Sequence, residues 1–155
     1  MTADDARDES TSFDADPYEL SRFVRAQAPV YETVVAELTA GEKRTHWMWF
    51  VFPQLAGLGF SDMTRRYALR DVAEATAYLH HPLLGPRLIE CIRLVVAVDG
   101  APLAEILAPP DDLKFHSSMT LFAQVDGHAA VLDRAVERYF GGELDTRTLS
   151  LLPGR

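Results

Sequence analysis

The stretch His46-Trp47-Met48-Trp49-Phe50-Val51-Phe52-Pro53-Gln54 constrains this chain more than any other. It places four aromatic rings within six residues and holds both tryptophans of the protein. A run of this kind is too costly to leave in water, so it is buried in a core or lines a pocket. Chemically capable residues flank it: Lys43, Arg44 and His46 on one side, Gln54, Ser61, Arg65 and Arg66 on the other. Apolar walls with a few convergent polar groups are what a small-ligand pocket requires. Periodicity alone does not separate helix from strand in so short a run, and aromatic enrichment leans towards strand. Its neighbours all read as helical, however, and a lone strand has nothing to pair with. We therefore read residues 46–52 as a short buried helix ending before Pro53. Adjacent helical residues face different directions, so Trp49 is expected in the core and Trp47 is available to line a cleft.

The rest of the chain reads as all-α, a single multihelical domain of about six to eight helices. Residues 1–15 are acidic and nearly free of large apolar side chains, the composition of a flexible tail; the domain is expected to occupy residues 16–155. Asp16 is the expected N-cap of the first helix, with Pro17 at its first position. Leu20, Phe23, Val24, Gln27, Tyr31, Val34, Val35 and Leu38 follow with helical spacing, and Pro29 kinks or divides the segment. Asp71-Val72-Ala73-Glu74 is a capping-box pattern opening a helix to about His80. Pro82 starts the next, with Leu84, Leu88, Cys91, Ile92 and Val95 on one face. Pro102–Leu107 is expected to form a short helix, and Leu113–Val125 a longer one after Pro109-Pro110. A last amphipathic helix ends at Gly141-Gly142, and the leucines after it dock back.

Charge is uneven along the chain. The formal net charge is −8, which argues against general nucleic-acid binding. Residues 1–20 carry seven carboxylates against Arg7 alone, whereas residues 43–70 carry five Lys/Arg against Asp62 alone. An anionic partner belongs near the second segment. The one cysteine, Cys91, lies in an apolar helical stretch and reads as a small buried hydrophobe. Signal-peptide and membrane-spanning patterns are absent, so the expected location is cytoplasmic, with no membrane partner.

Four constellations bear on chemistry. Lys114, Ser117, Ser118 and Leu121 share a helical face; the group reads as close packing by small residues or as anion binding near a helix start. A serine nucleophile is disfavoured, because the serine–lysine order is reversed from that of serine–lysine hydrolases. Arg65-Arg66-Tyr67 follows Ser61-Asp62: either one arginine forks a phosphate or carboxylate beside Tyr67, or both pair with the acidic N-terminal segment. Among the five histidines no two have zinc-helix spacing, so no metal is expected. His46 stands out as the one beside the aromatic run, and His80-His81-Pro82 reads as the end of one helix and the start of another, where a histidine helps a helix C-terminus. Gly57-Leu58-Gly59 lacks the third glycine and the strand of a dinucleotide fingerprint, there is no P-loop, and no cofactor is expected.

The same segments resemble a family of small bacterial proteins of unknown function that sometimes carries the label calpastatin. The similar stretches are Asp16-Pro17-Tyr18, Arg22-Phe23, Ala26-Gln27, His46–Gln54 and Gly57-Leu58-Gly59 with Ser61. They continue through Tyr67-Ala68-Leu69, Ala77-Tyr78-Leu79, His81-Pro82, Leu84-Gly85, Arg87-Leu88 and Asp111–Phe122, so that the resemblance spans residues 16–152. It implies a single multihelical domain and carries no established activity. The calpastatin label fails on physical grounds, since inhibitors of that type are largely disordered and this chain is apolar and strongly patterned.

The expectation is an all-α domain whose aromatic-lined cleft binds a small anionic metabolite of phosphate or nucleotide type. Its expected lining is His46, Trp47, Gln54, Ser61, Arg65, Tyr67, Lys114, Ser117 and Ser118, with no catalytic residue assigned. The alternative is a protein-interaction module whose aromatic run is merely core.

Overall fold

The computed structural model describes residues 16–152, so the expected acidic tail at 1–15 lies outside the described residues. Ten helices occur among the described residues: α1 Ser21–Gln27, α2 Tyr31–Thr39, α3 Met48–Val51, α4 Asp62–Tyr67, α5 Val72–His80, α6 Leu84–Val96, α7 Leu103–Ile106, α8 Asp111–Phe122, α9 Ala130–Phe140 and α10 Thr146–Leu151. The count exceeds the expectation because several are one- or two-turn pieces that periodicity does not resolve. Pro29 divides α1 from α2. Extended pairing among the described residues is limited to one isolated parallel bridge, Leu55 to Leu69. There Leu69 N–H donates to the Gln54 carbonyl (2.9 Å) and Ala56 N–H to the Leu69 carbonyl (2.7 Å).

Two helices organise the interior. The face Leu84, Leu88, Cys91, Ile92 and Val95 of α6 is buried, and α6 packs on α2, α5 and α9. The second, α8, is buried almost all round, from Phe115 to Phe122 apart from half-buried His116, and packs on α5, α7, α9 and α10. A helix buried on most of its sides lies in the middle of a bundle, here with the small polar residues Ser117, Ser118 and Thr120 among its buried side chains. The turn from α5 into α6 is tight enough to require glycine: a Cβ on Gly85 would lie 2.1 Å from the Leu79 carbonyl oxygen.

The aromatic run forms the single turn α3, which packs on α1 and α4. Its two tryptophans take the opposite roles from those expected. Trp47 is fully buried and Trp49 only half-buried. The cause lies on α2, where Glu37 accepts the Trp47 indole Nε1–H at 2.9 Å and draws that ring inward. The other polar tie to the run comes from buried Gln27, whose Nε2 donates to the Phe50 carbonyl (2.7 Å) and to Tyr78 Oη (3.1 Å).

Helix ends follow the sequence with two differences. Ser61 caps α4 through Thr64 N–H, and Asp71 caps α5 through Glu74 N–H. Asp16 does accept two amides, Leu20 N–H (2.6 Å) and Ser21 N–H (3.1 Å), but α1 begins only at Ser21. Glu19, at φ +53°, interrupts the backbone that Pro17 was expected to start. His81 serves the helix after it: its Nδ1 accepts from Leu83 and Leu84 N–H at the entry to α6.

Candidate functional site

The nine residues expected to line one cleft do not share a lining. Four are structural. Trp47 is core, and Tyr67 is buried between Phe23 and Phe50, with ring centroids 5.6 and 5.3 Å away. Ser117 Oγ donates to Asp145 Oδ2 (2.7 Å), which also accepts from Thr148 (2.6 Å), while Asp145 N–H donates to Thr120 (2.8 Å). That network clamps α10 to α8. Ser118 is fully buried, and its hydroxyl has no hydrogen-bond partner among the described residues; it occupies packing space, as the small-residue reading anticipated.

The other five are scattered. Lys114 lies 5.7 Å from the Trp49 ring centroid. His46 is exposed, and Gln54 contributes its backbone to the Leu55–Leu69 bridge. Ser61 is spent as a cap. Arg65 lines a cleft together with Arg66 and Arg70 of the same basic segment and with α1 residues that the sequence analysis did not assign to a site.

That cleft, of about 480 Å³, opens between the start of α1, the α4–α5 linker and the start of α5. Five arginines line it: Arg22, Arg25, Arg65, Arg66 and Arg70, against the carboxylates of Glu19 and Glu74. A smaller adjoining hollow of about 330 Å³ shares Arg22, Arg25 and Arg66 and has Tyr67, one of the nine expected residues, in its wall. Arg22 builds the frame. Its Nε donates to the Arg66 carbonyl (2.8 Å), its Nη1 to the Tyr18 (2.5 Å) and Glu19 (3.0 Å) carbonyls, and its Nη2 to the Ala68 carbonyl (3.0 Å) and Glu74 Oε2 (3.1 Å). All the donors of that guanidinium are thereby used. Glu74, buried at the base, also accepts from Arg70 N–H (2.9 Å) and Arg70 Nε (3.2 Å). The return arm of the expected capping box is thus diverted from Asp71 to Arg70. Arg70 also lies 5.4 Å from the Tyr18 ring centroid.

The three remaining arginines differ in kind. Arg25, Arg65 and Arg66 are exposed, and their guanidiniums have no ion-pair or hydrogen-bond partner among the described residues. Glu74 is thus shared by Arg22 and Arg70, and the guanidiniums of Arg25, Arg65 and Arg66 add positive charge at the rim. Sequence reasoning flagged Arg65 and Arg66 by their clustering but missed Arg22 and Arg25, which lie one helical turn apart on α1 some forty residues earlier. The signal available was the spacing of three on one helix.

Elsewhere the titratable groups serve structure. Glu37 is buried, which by itself raises its pKa, but bonds from Arg44 N–H, Thr45 and Trp47 outweigh this and hold it down at about 2. Burial pushes the Cys91 thiol up to about 12, which keeps it protonated and unreactive. No group of three or more His, Cys, Asp or Glu side chains suited to a metal ion occurs among the described residues. No helix among them is long and apolar enough to cross a membrane.

Residues 17–152 match the family described as Protein of unknown function (DUF1810). The fold is similar to the crystal structure of the conserved hypothetical protein Rv1873 from Mycobacterium tuberculosis. The TM-score is 0.88 and the identity 55%, over 90% of this chain and 100% of that one. No curated protein matches the chain. With nearly the whole length of the fold matched, the chain belongs to the DUF1810 family of proteins of unknown function.

Proposed function

We propose that this protein binds a small phosphate-bearing anion in the arginine-lined cleft. The observation that carries the reading is the set of three guanidiniums without a partner among the described residues, Arg25, Arg65 and Arg66, gathered at one rim of a chain whose net charge is −8. Like charges so placed repel one another, and an anion between them removes that cost. Guanidinium forks suit the oxygens of phosphate and carboxylate groups. The cleft volume falls within the roughly 300–1,000 Å³ usual for small-ligand sites. Arg22 and Glu74 hold the backbone on which these side chains stand, so the site is framed before a ligand arrives.

Calorimetric titration with inorganic pyrophosphate, nucleotides and sugar phosphates tests the proposal. A charge-assisted contact contributes about 1.5–3 kcal/mol, so Arg65→Ala and Arg25→Ala should each weaken binding roughly ten- to hundredfold. Lys114→Ala, which removes a cation over Trp49 outside the cleft, should leave it unchanged. If no anion binds the wild-type chain at millimolar concentration, the interaction-module reading takes its place. That reading draws on Phe60 and Leu113, whose apolar side chains are 75% and 63% exposed.

A further inference from the structure

We propose that the anion held at the arginine cleft carries two linked phosphoryl groups, the second seated in the adjoining hollow, where the Tyr67 hydroxyl donates to it. The inference rests on the reading of the cleft as an anion site and names the class of ligand. It starts from Tyr67, which is 9% exposed, has its ring held between Phe23 and Phe50, and stands in the wall of the hollow. A buried tyrosine ordinarily finds a partner for its hydroxyl. This hydroxyl has none among the described residues. Ser118 Oγ is the one side-chain polar atom among them both sealed from solvent and unpaired, so the Tyr67 oxygen keeps an opening. The hollow is the space that Tyr67 lines.

The rest of that wall is built for an acceptor. Arg22, Arg25 and Ala26 come from α1 and Arg66 from α4, with no carboxylate in the lining. Arg22 spends its donors on carbonyls and Glu74 and supplies charge alone, whereas Arg25 and Arg66 keep theirs. Guanidinium and phenol donors together suit the oxygens of a phosphoryl group. Charge then sets the size of the ligand. Five arginines against Glu19 and Glu74 leave three positive charges around the cleft, and the hollow adds no further residue of either sign. A single phosphate ester carries about −1.5 to −2 at neutral pH and falls short of that. A second phosphoryl group makes up the difference. Arg25 and Arg66 line both spaces, while Arg65 lines only the cleft and Tyr67 only the hollow. Two linked phosphoryl groups therefore have Arg65 at one end, Tyr67 at the other and the shared guanidiniums between them. The Tyr67 end is fixed in advance: the Arg66 carbonyl accepts from Arg22 Nε (2.8 Å), and Leu69 is bridged to Leu55.

Calorimetric titration of the full chain with orthophosphate, inorganic pyrophosphate and a nucleoside diphosphate tests the inference through two variants that alter no charge. Tyr67→Phe removes the hydroxyl and keeps the ring between Phe23 and Phe50. Ala26→Leu narrows the hollow and leaves the Arg65 end open. Wild type should bind pyrophosphate about tenfold more tightly than orthophosphate, or better. Tyr67→Phe should weaken pyrophosphate about tenfold and leave orthophosphate within about twofold, and Ala26→Leu should repeat the pattern. A nucleoside diphosphate that shows the same loss upholds the class in its esterified form; the loss with pyrophosphate alone upholds it as the free ion. An unchanged pyrophosphate affinity in Tyr67→Phe, or an equal fall for orthophosphate and pyrophosphate, overturns the inference and leaves the anion-site reading standing. If wild type binds none of the three at millimolar concentration, both are overturned.

Discussion

Trp47→Ala should be among the most damaging substitutions in the chain, and Trp49→Ala much milder, although the two residues lie two apart in one aromatic run. Trp47 is 1% exposed, packs at 6.2 Å from Phe52, and gives its Nε1–H to Glu37. Truncating a buried aromatic to alanine typically costs about 3–5 kcal/mol. Glu37 keeps its bonds from Arg44 and Thr45, so the loss of one donor adds little beyond the cavity. With about 2–4 °C of melting temperature per kcal/mol at this size, the expected drop is about 6–20 °C. Trp49 is half-buried under Lys114, and its truncation should cost about 1–2 kcal/mol. Urea unfolding followed by far-UV circular dichroism is the assay, since fluorescence would change with the mutation itself. Equal slopes with a much lower midpoint for Trp47→Ala are expected. If Trp49→Ala proves the less stable of the two, the burial assignment is wrong and so is the account of how Glu37 orients the run.

Arg22→Ala leaves the buried Glu74 carboxylate to Arg70 alone and takes a donor from four backbone carbonyls, so it should destabilise by about 1.5–3 kcal/mol in the same assay; a cost below about 1 kcal/mol would contradict its framing role. Glu37 binds its proton more weakly folded than unfolded. Its contribution to stability is therefore complete above its ordinary value of 4.5 and is lost as pH falls from there through about 2. Glu37→Gln should flatten the acid limb of the stability profile over that interval, and an unchanged limb would show that other carboxylates dominate it. Gly85→Ala should destabilise by at least about 1–3 kcal/mol, because its Cβ meets backbone that cannot rotate away; a wild-type midpoint would mean that α5 and α6 shift apart freely.

The fold was legible where local chemistry decides it. The Asp71 cap, the Pro29 break, the α6 stripe and the Gly141 stop are each set by residues within one or two turns. Legibility ended where a distant partner decides orientation. Nothing near Trp47 announces that Glu37 draws it inward, and the sequence ranks the two tryptophans the wrong way round. The Lys114, Ser117 and Ser118 face was correctly placed on one helix, but Ser117 is claimed by Asp145, which lies 28 residues further on. The candidate site was half visible. A local excess of Arg65, Arg66 and Arg70 could be counted, whereas their meeting with Arg22 and Arg25 depends on how α1 lies against the α4–α5 linker. Charge clustering showed that an anion site was plausible near residues 43–70 and did not show which wall of the protein would carry it.

The central claim is that the arginine cleft takes a phosphate-bearing anion. A two-dimensional ¹H–¹⁵N spectrum of the chain lacking residues 1–14, titrated with inorganic pyrophosphate, tests it most directly. The account predicts saturable shifts confined to residues 17–25 and 65–74, including the side-chain Nε signals of Arg25, Arg65 and Arg66. Shifts centred on Trp49 and Lys114, or no shifts at millimolar pyrophosphate, would contradict it.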